Sequence, residues 1–183
     1  MIELKLDPNK KARVWLGELP AVPPGPVERI HEVIHAERTT SRQPGCAAVE
    51  AYVHMGPRVR WGLLGGRYIS ISGDQLDLQV DVARTGEEID WPTASKSDVV
   101  RAGLPYEYVQ GVIGGARAVE AGRLLGPGVL RFDCAAHAEA GSSISIFQQL
   151  AAVVVRLLLV RPEQPSEPEL TELLRLELGH PTR

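Results

Sequence analysis

Two cysteines in 183 residues, Cys46 and Cys134, are too few and too far apart to form a disulfide framework. Each lies in an apolar, strand-like run, which reads as two buried thiols of a reduced protein, with a single disulfide as the alternative. Aromatic residues make up only 5% of the chain, yet 44% is hydrophobic and 23% charged, which argues against whole-chain disorder. A strong charge of one sign is also missing. The net charge is −3, divided as +2 over residues 1–76, −3 over 77–160 and −2 over 161–183. No part supplies the positive field that phosphate-backbone binding usually needs, so any nucleic-acid contact has to be local. The most apolar stretch, Ile144–Val160, is interrupted by Gln148, Gln149 and Arg156 and is too short to span a bilayer. The N-terminal run Met-Ile-Glu-Leu-Lys-Leu has no basic region followed by an apolar one, so no signal peptide is expected. These absences predict a cytoplasmic protein with no membrane partner.

Several catalytic signatures are missing as well. There is no Gly-x-x-x-x-Gly-Lys-Ser/Thr loop, no Gly-x-Gly-x-x-Gly after a strand and no Gly-x-Ser-x-Gly elbow. No cofactor site is expected from them.

What is present is a strongly punctuated α+β pattern. Ile2–Leu6 and Arg13–Leu19 read as strands, and Pro20–Pro26 as a stiff connector, because each proline fixes φ and removes a donor. Pro26 suits a first helical position, and Val27, Ile30 and Ile34 follow at helical spacing, predicting an amphipathic helix over Val27–Arg38. Cys46–Met55 and Arg58–Leu64 read as a hairpin around Gly56-Pro57, and Gly65-Gly66 as punctuation before Tyr68–Ile71. The cleanest strand is Leu76–Val82, with Leu76, Leu78, Val80 and Val82 on one face and Asp77, Gln79 and Asp81 on the other. Thr85–Gly103 reads as loop. Pro105–Gly122 reads as a helix in which Gly111, Gly114 and Gly115 cost propensity and so imply a close backbone neighbour. The strand Val129–Ala135 follows, with Leu130, Phe132 and Cys134 assigned to its apolar face. Ser142 is the expected N-cap of a helix over Ser143–Val160. Pro162, Pro165 and Pro168 form a second stiff linker before a short helix over Leu170–Leu178, which docks on the main body or on a second copy. The chain therefore divides into an N-terminal αβ segment (1–75) that can complete the sheet, a central unit (76–160), and a linker with a C-terminal helix (161–183).

Three groups of residues could carry chemistry. His31-Glu32-Val33-Ile34-His35 on a helix would place two imidazoles on one face, able to hold zinc, with Glu32 as base. Against it stands a half-exposed helix face with two titrating histidines, the reading we favour, because no third ligand follows at a diagnostic spacing. Cys134 and His137 could form a thiol–base pair, but the thiol belongs to an apolar strand and a structural role is favoured. His137, Glu139, Ser142 and Ser143 share the stretch between a strand and a helix N-terminus, where free amides favour an anionic partner; simple capping by Ser142 is the alternative.

The stretch from Leu76 to about Leu158 resembles domain four of elongation factor G and the related tetracycline-resistance ribosomal protection proteins. The features that carry it are the strand Leu78-Gln-Val-Asp-Val82, the run Gly103-Leu-Pro-Tyr-Glu-Tyr108, and Gly111, Ala118 and Gly122 on the following helix. After the strand Val129–Cys134 comes Ser142-Ser143-x-x-x-Phe147-x-x-x-Ala151, similar to the opening of the family's second helix. The resemblance implies a fold like domain two of ribosomal small-subunit protein five: two helices on one face of a sheet, with a left-handed crossover against the usual rule. It further implies that the loop Ala135–Gly141 reaches a large partner, as the family's loop does at the decoding site. The expected function is thus a non-catalytic binding module contacting ribosome, RNA or protein. The alternatives are a small zinc hydrolase using His31, Glu32 and His35, and an oligomeric scaffold, a homo-oligomer held by Leu170–Leu178.

Overall fold

Alternation of apolar and polar side chains dominates the chain, and the computed structural model turns most of it into one sheet. It describes residues 1–23, 27–37, 43–55, 58–83, 86–91, 98–163 and 165–179. The strands are β1 (Ile2–Asp7), β2 (Lys10–Leu16), β3 (Val27–His35), β4 (Gly45–Met55), β5 (Arg58–Ser70), β6 (Gln75–Ala83), β7 (Val100–Ala102) and β8 (Gly128–Ala138). They lie in the order β1-β2-β4-β5-β8-β6-β3, with β7 paired to β8 beyond the end of β6. All neighbours are antiparallel except β6 and β8, which are parallel. The helices are α1 (Val109–Ala118), α2 (Ala121–Leu125), α3 (Ile144–Leu157) and α4 (Glu167–Gly179). Among the described residues no helix is long and apolar enough to cross a membrane.

The described part of residues 1–75 forms no helix-bearing lobe. It supplies β1 to β5 of the common sheet, and the helix expected over Val27–Arg38 is the strand β3, with Arg38 outside the described residues. The reason is that Ile30 and Ile34, four apart, share a face in either geometry. Ile30, Val33 and Ile34 are β-branched, and such side chains pack better on a pleated surface than on a helix. In β3, Ile30, Glu32 and Ile34 turn toward the helices while Arg29, His31, Val33 and His35 face outward. Glu32 reaches an ion pair with Arg117 of α1.

Other boundaries shift for local reasons. Gly65-Gly66 does not interrupt β5; the pairing slips there, Gly65 facing Cys134 and Gly66 facing Phe132, so that Asp133 is the extra residue of a bulge. The expected loop after residue 85 contains β7, and the expected hairpin turn Gly56-Pro57 lies outside the described residues. The helix over Pro105–Gly122 is a short 3-10 turn followed by α1 and α2, broken at Glu120, whose φ of 55° is left-handed.

α1 and α3 pack on each other over the same face of the sheet. They run side by side in the same direction: a methyl group on Gly111 would collide with the carbonyl of Ile144, and one on Gly115 with the carbonyl of Gln148. The glycines are the cost of that approach, as their number within a helix implied. Beneath them lies the main core, including Leu76, Leu78, Val80, Leu130, Phe132, Phe147, Leu150 and Val154, all 2% exposed or less. α4 covers the β1 end of this face. Leu170, Leu174 and Leu178 enter the same core, Arg156 pairs with Glu177 at 2.5 Å, and the Arg175 guanidinium donates twice to the Leu6 carbonyl at 2.9 and 3.0 Å. Of the two expected seats for this helix, the main body or a second copy, Leu170, Leu174 and Leu178 take the main body of their own chain.

This packing makes adjacent glycines of α1 behave oppositely. Gly115→Ala is expected to destabilise by about 1–3 kcal/mol through overpacking. Gly114→Ala, which meets nothing within 4 Å, should stabilise by up to about 1 kcal/mol through helix propensity. Chemical denaturation of the two variants beside the parent checks both.

Candidate functional site

With the helices on one face, the outward-facing half of each strand's alternation builds the other. Two different surfaces result. Over β2, β4 and the N-terminal half of β5, the face carries a second small core of Trp15, Ala48, Trp61 and Leu63 with Val100, Ala136 and Ala138. Two segments strap it: Gly17–Pro23, through Leu19 and Val22, and residues 86–91, through Ile89 and Trp91. Over β3, β6, β8 and the C-terminal half of β5, no segment covers the face among the described residues, and it presents charge.

Register explains how that charge is arranged. Arg67 of β5 lies opposite Arg131 of β8, Arg131 beside Gln79 of β6, and Gln79 opposite His31 of β3. Directly opposed arginines repel, and each is answered by a carboxylate from the next row. Arg67 Nε donates to Asp133 Oδ2 at 2.8 Å; Arg131 donates to Asp81 Oδ2 at 2.5 Å (Nη2) and 3.1 Å (Nε); Arg29 Nε donates to Asp81 Oδ1 at 2.7 Å. At the next row His31 Nδ1 lies 3.3 Å from Asp77 Oδ2, which also accepts from Gln79 Nε2 at 2.7 Å. Burial alone would push the Asp81 carboxyl up, but the hydrogen bonds and charges of Arg29 and Arg131 outweigh it and hold the group below its ordinary value. Beside this ladder Ile69, Ile71 and Val33 are each more than half exposed. The surface is a charge-balanced lattice bordered by bare aliphatic side chains.

Between the ladder and the Leu19–Pro23 strap runs a cleft of about 230 Å³, lined by Pro20, Arg67, Asp81, Arg131, Asp133 and Cys134 among others. Cys134 was expected on the apolar face with Leu130 and Phe132. The bulge at Asp133 reverses the alternation, and its Sγ lies 3.7 Å from the Pro20 carbonyl on the strap side of the sheet. Burial raises its thiol to about 12, and burial raises Cys46 as well; both cysteines are free. A thiol held protonated is a poor nucleophile.

The residues expected to carry chemistry are dispersed. In a strand, His31 and His35 stand about 13 Å apart along one face, four residues at roughly 3.3 Å each. Glu32 points to the opposite side. The zinc geometry required a helix that does not form, and among the described residues no three His, Cys, Asp or Glu side chains gather to hold a metal. His137 belongs to β8 rather than to a loop. It is 9% exposed, its Nδ1 donates to the Gly103 carbonyl at 3.0 Å, and its ring meets Tyr108 edge-on. Burial pulls its imidazole below the ordinary value despite that bond. Glu139 pairs with Arg101 at 2.7 Å. Ser142 does not cap α3: its hydroxyl accepts from the Ala138 amide at 2.9 Å and donates to the Trp61 carbonyl at 2.7 Å, closing the turn. Ser143 is the N-cap, accepting from the Ile146 amide at 3.4 Å. His137, Glu139, Ser142 and Ser143 are thus brought near one end of the sheet, and each makes an internal bond there.

Sequence reading missed the ladder. Asp77 and Asp81 were assigned to the exposed face of their strand, but nothing local showed that Arg29 and Arg131 meet them. Comparison with protein-family models, with characterised proteins and with solved structures finds no match.

Because the folded Asp81 carboxyl lies below its unfolded value, its stabilisation is fully present above the ordinary aspartate value of about 3.9 and is lost as pH falls through the folded one. Asp81→Asn should therefore remove part of the acid limb of a stability–pH profile while lowering stability at neutral pH, measured by urea titration at a series of pH values.

Proposed function

We propose that this protein is a non-catalytic binding module, a relative of domain four of elongation factor G and the ribosomal protection proteins, that grips a protein partner on its uncovered sheet face. The observation that carries the reading is the Arg29–Asp81–Arg131 and Arg67–Asp133 ladder, flanked by Ile69, Ile71 and Val33. A surface for RNA would hold its cations uncompensated, so that phosphates could replace counterions. Here the arginines are already matched by aspartates, and apolar side chains stand beside them. That mixture suits a protein surface of mixed charge with an apolar centre.

The family reading has support of its own. The stretch from β6 through α3 holds the residues behind the resemblance, and two of its glycines have a structural reason. Gly111 lets α3 approach, and Gly122 lies against the backbone carbonyl of His35. Two helices on one side of a sheet, joined through a parallel β6–β8 pair, agree with a protein-five-like unit, and β1, β2, β4 and β5 extend it. The tip-loop serines and His137 make internal bonds, which favours the sheet face over the tip as the contact surface.

The test is affinity capture with the whole chain, beside ribosome pelleting. Capture of a protein should survive nuclease and weaken less than about tenfold between roughly 50 and 200 mM salt. It should be lost in an Ile69→Asp, Ile71→Asp double variant whose stability stays within about 1 kcal/mol of the parent, as expected for exposed positions. Binding abolished by nuclease, or falling steeply with salt, would assign the surface to RNA or the ribosome and overturn the protein reading.

A further inference from the structure

Glu50 is a carboxylate 2% exposed, on the strapped face of the sheet. Trp61 Nε1 donates to its Oε1 at 2.9 Å. Its Oε2 has no hydrogen-bond partner among the described residues, and Arg13 Nη1 lies 3.8 Å away. The Trp91 indole also approaches the carboxyl. All three tryptophans of the chain, Trp15, Trp61 and Trp91, thus belong to the small core around this one acid.

An ionised carboxylate so placed has exchanged water for one indole bond and a distant guanidinium, and Arg13 is itself shared with Glu3 at 3.6 Å. Beyond Arg13, β2 places the exposed Lys11 on this face, opposite Tyr52 rather than Glu50. From β4 Tyr52 and, further along, His54 follow on the same face, from β5 the Trp61 indole reaches the carboxyl, and the acids of the strap, Glu87, Glu88 and Asp90, lie toward solvent. Burial, the largest effect, accordingly raises the Glu50 carboxyl above its ordinary value, against the pull of Trp61, Trp91 and Arg13.

The coverings of Glu50 are unequal. β2, β4 and β5 are locked in the sheet by long ladders. The strap at residues 86–91 is joined to three-residue β7 by the bonds Ile89 N–H to Val100 O and Ala102 N–H to Glu87 O, both 2.9 Å. Of these coverings it has the least backbone pairing.

We infer that Glu50 is a proton-operated latch for the 86–91 strap: protonated, the carboxyl stays dry beneath Trp91 and the strap stays closed over the tryptophan core; ionised, it draws in water, against the pull of the two indoles, and the strap opens to bare an aromatic surface. The sign follows from linkage. A folded carboxyl that takes up its proton more readily than the unfolded one favours the closed form at low pH. That advantage is lost as pH rises from the ordinary carboxylate value through the raised one.

The experiment is hydrogen exchange on the full chain between about pH 5 and pH 8, corrected for intrinsic rates, with tryptophan emission alongside. Protection of the Ile89 and Ala102 amides should fall as pH rises, tenfold for each unit by which the folded value exceeds the ordinary one, and emission should shift to the red. Glu50→Gln should hold protection high and flat. Trp91→Ala, which leaves the carboxyl in place, should give low protection at every pH. Protection independent of pH in the parent overturns the inference, as does a Glu50→Gln or Trp91→Ala variant that titrates like the parent. Partner capture by the open face is read with Ile69 and Ile71 variants, so failure of one idea is distinguishable from failure of the other.

Discussion

The near-contact of α1 and α3, made possible where Gly111 and Gly115 offer no side chain to the carbonyls of Ile144 and Gln148, sets the layout of the whole molecule. Two helices that close occupy one face of the sheet without reaching round to the other. The apolar halves of β6 and β8 are consumed beneath them, and α4 finishes the same layer over β1. Most of the polar half of the alternation then falls on the far side, Glu32 with its Arg117 partner being an exception. The division between a packed face and a charged one is a steric result before it is an electrostatic one.

On the far side the chain solves one problem in two ways. Where it has straps to spare, it buries tryptophans under Leu19, Val22, Ile89 and Trp91. Where it has none among the described residues, it sets arginine against aspartate across strands, so that the uncovered face stays wet but organised. Partly exposed pairs of this kind add modest stability each. Their larger effect is to hold the guanidinium groups of Arg29, Arg67 and Arg131 in fixed positions on the sheet.

Much of the scaffold was legible. Leu76, Leu78, Val80 and Val82 alternate because a single face is buried, and the stripe from Val109 to Ala116 repeats because one side of α1 is. The segment at 27–35 was not, since Ile30 and Ile34 satisfy both periods and only their β-branching favours extension. Cys134 was misplaced because a bulge has no fixed signature, and one extra residue reverses every later side chain. The candidate site was the least legible part: Arg29, Arg131 and Arg67 find their carboxylates 52, 50 and 66 residues away in sequence. Such partners are chosen by strand order, which no local pattern encodes. Ser142 was the expected N-cap of α3; that role falls one position later, to Ser143, while the Ser142 hydroxyl closes the preceding turn.

The two rims of the sheet are unequal. At β1, a bulge at Leu6 hands its carbonyl to Arg175, and a helix rooted in the core stands beside it. At β3, nine residues of backbone have no strand on their outer side among the described residues. An unpaired rim is a template for a neighbouring chain, and continuous stacking needs two of them. Among the described residues only the β3 rim is left bare, so growth through both edges into a ribbon is disfavoured by the architecture.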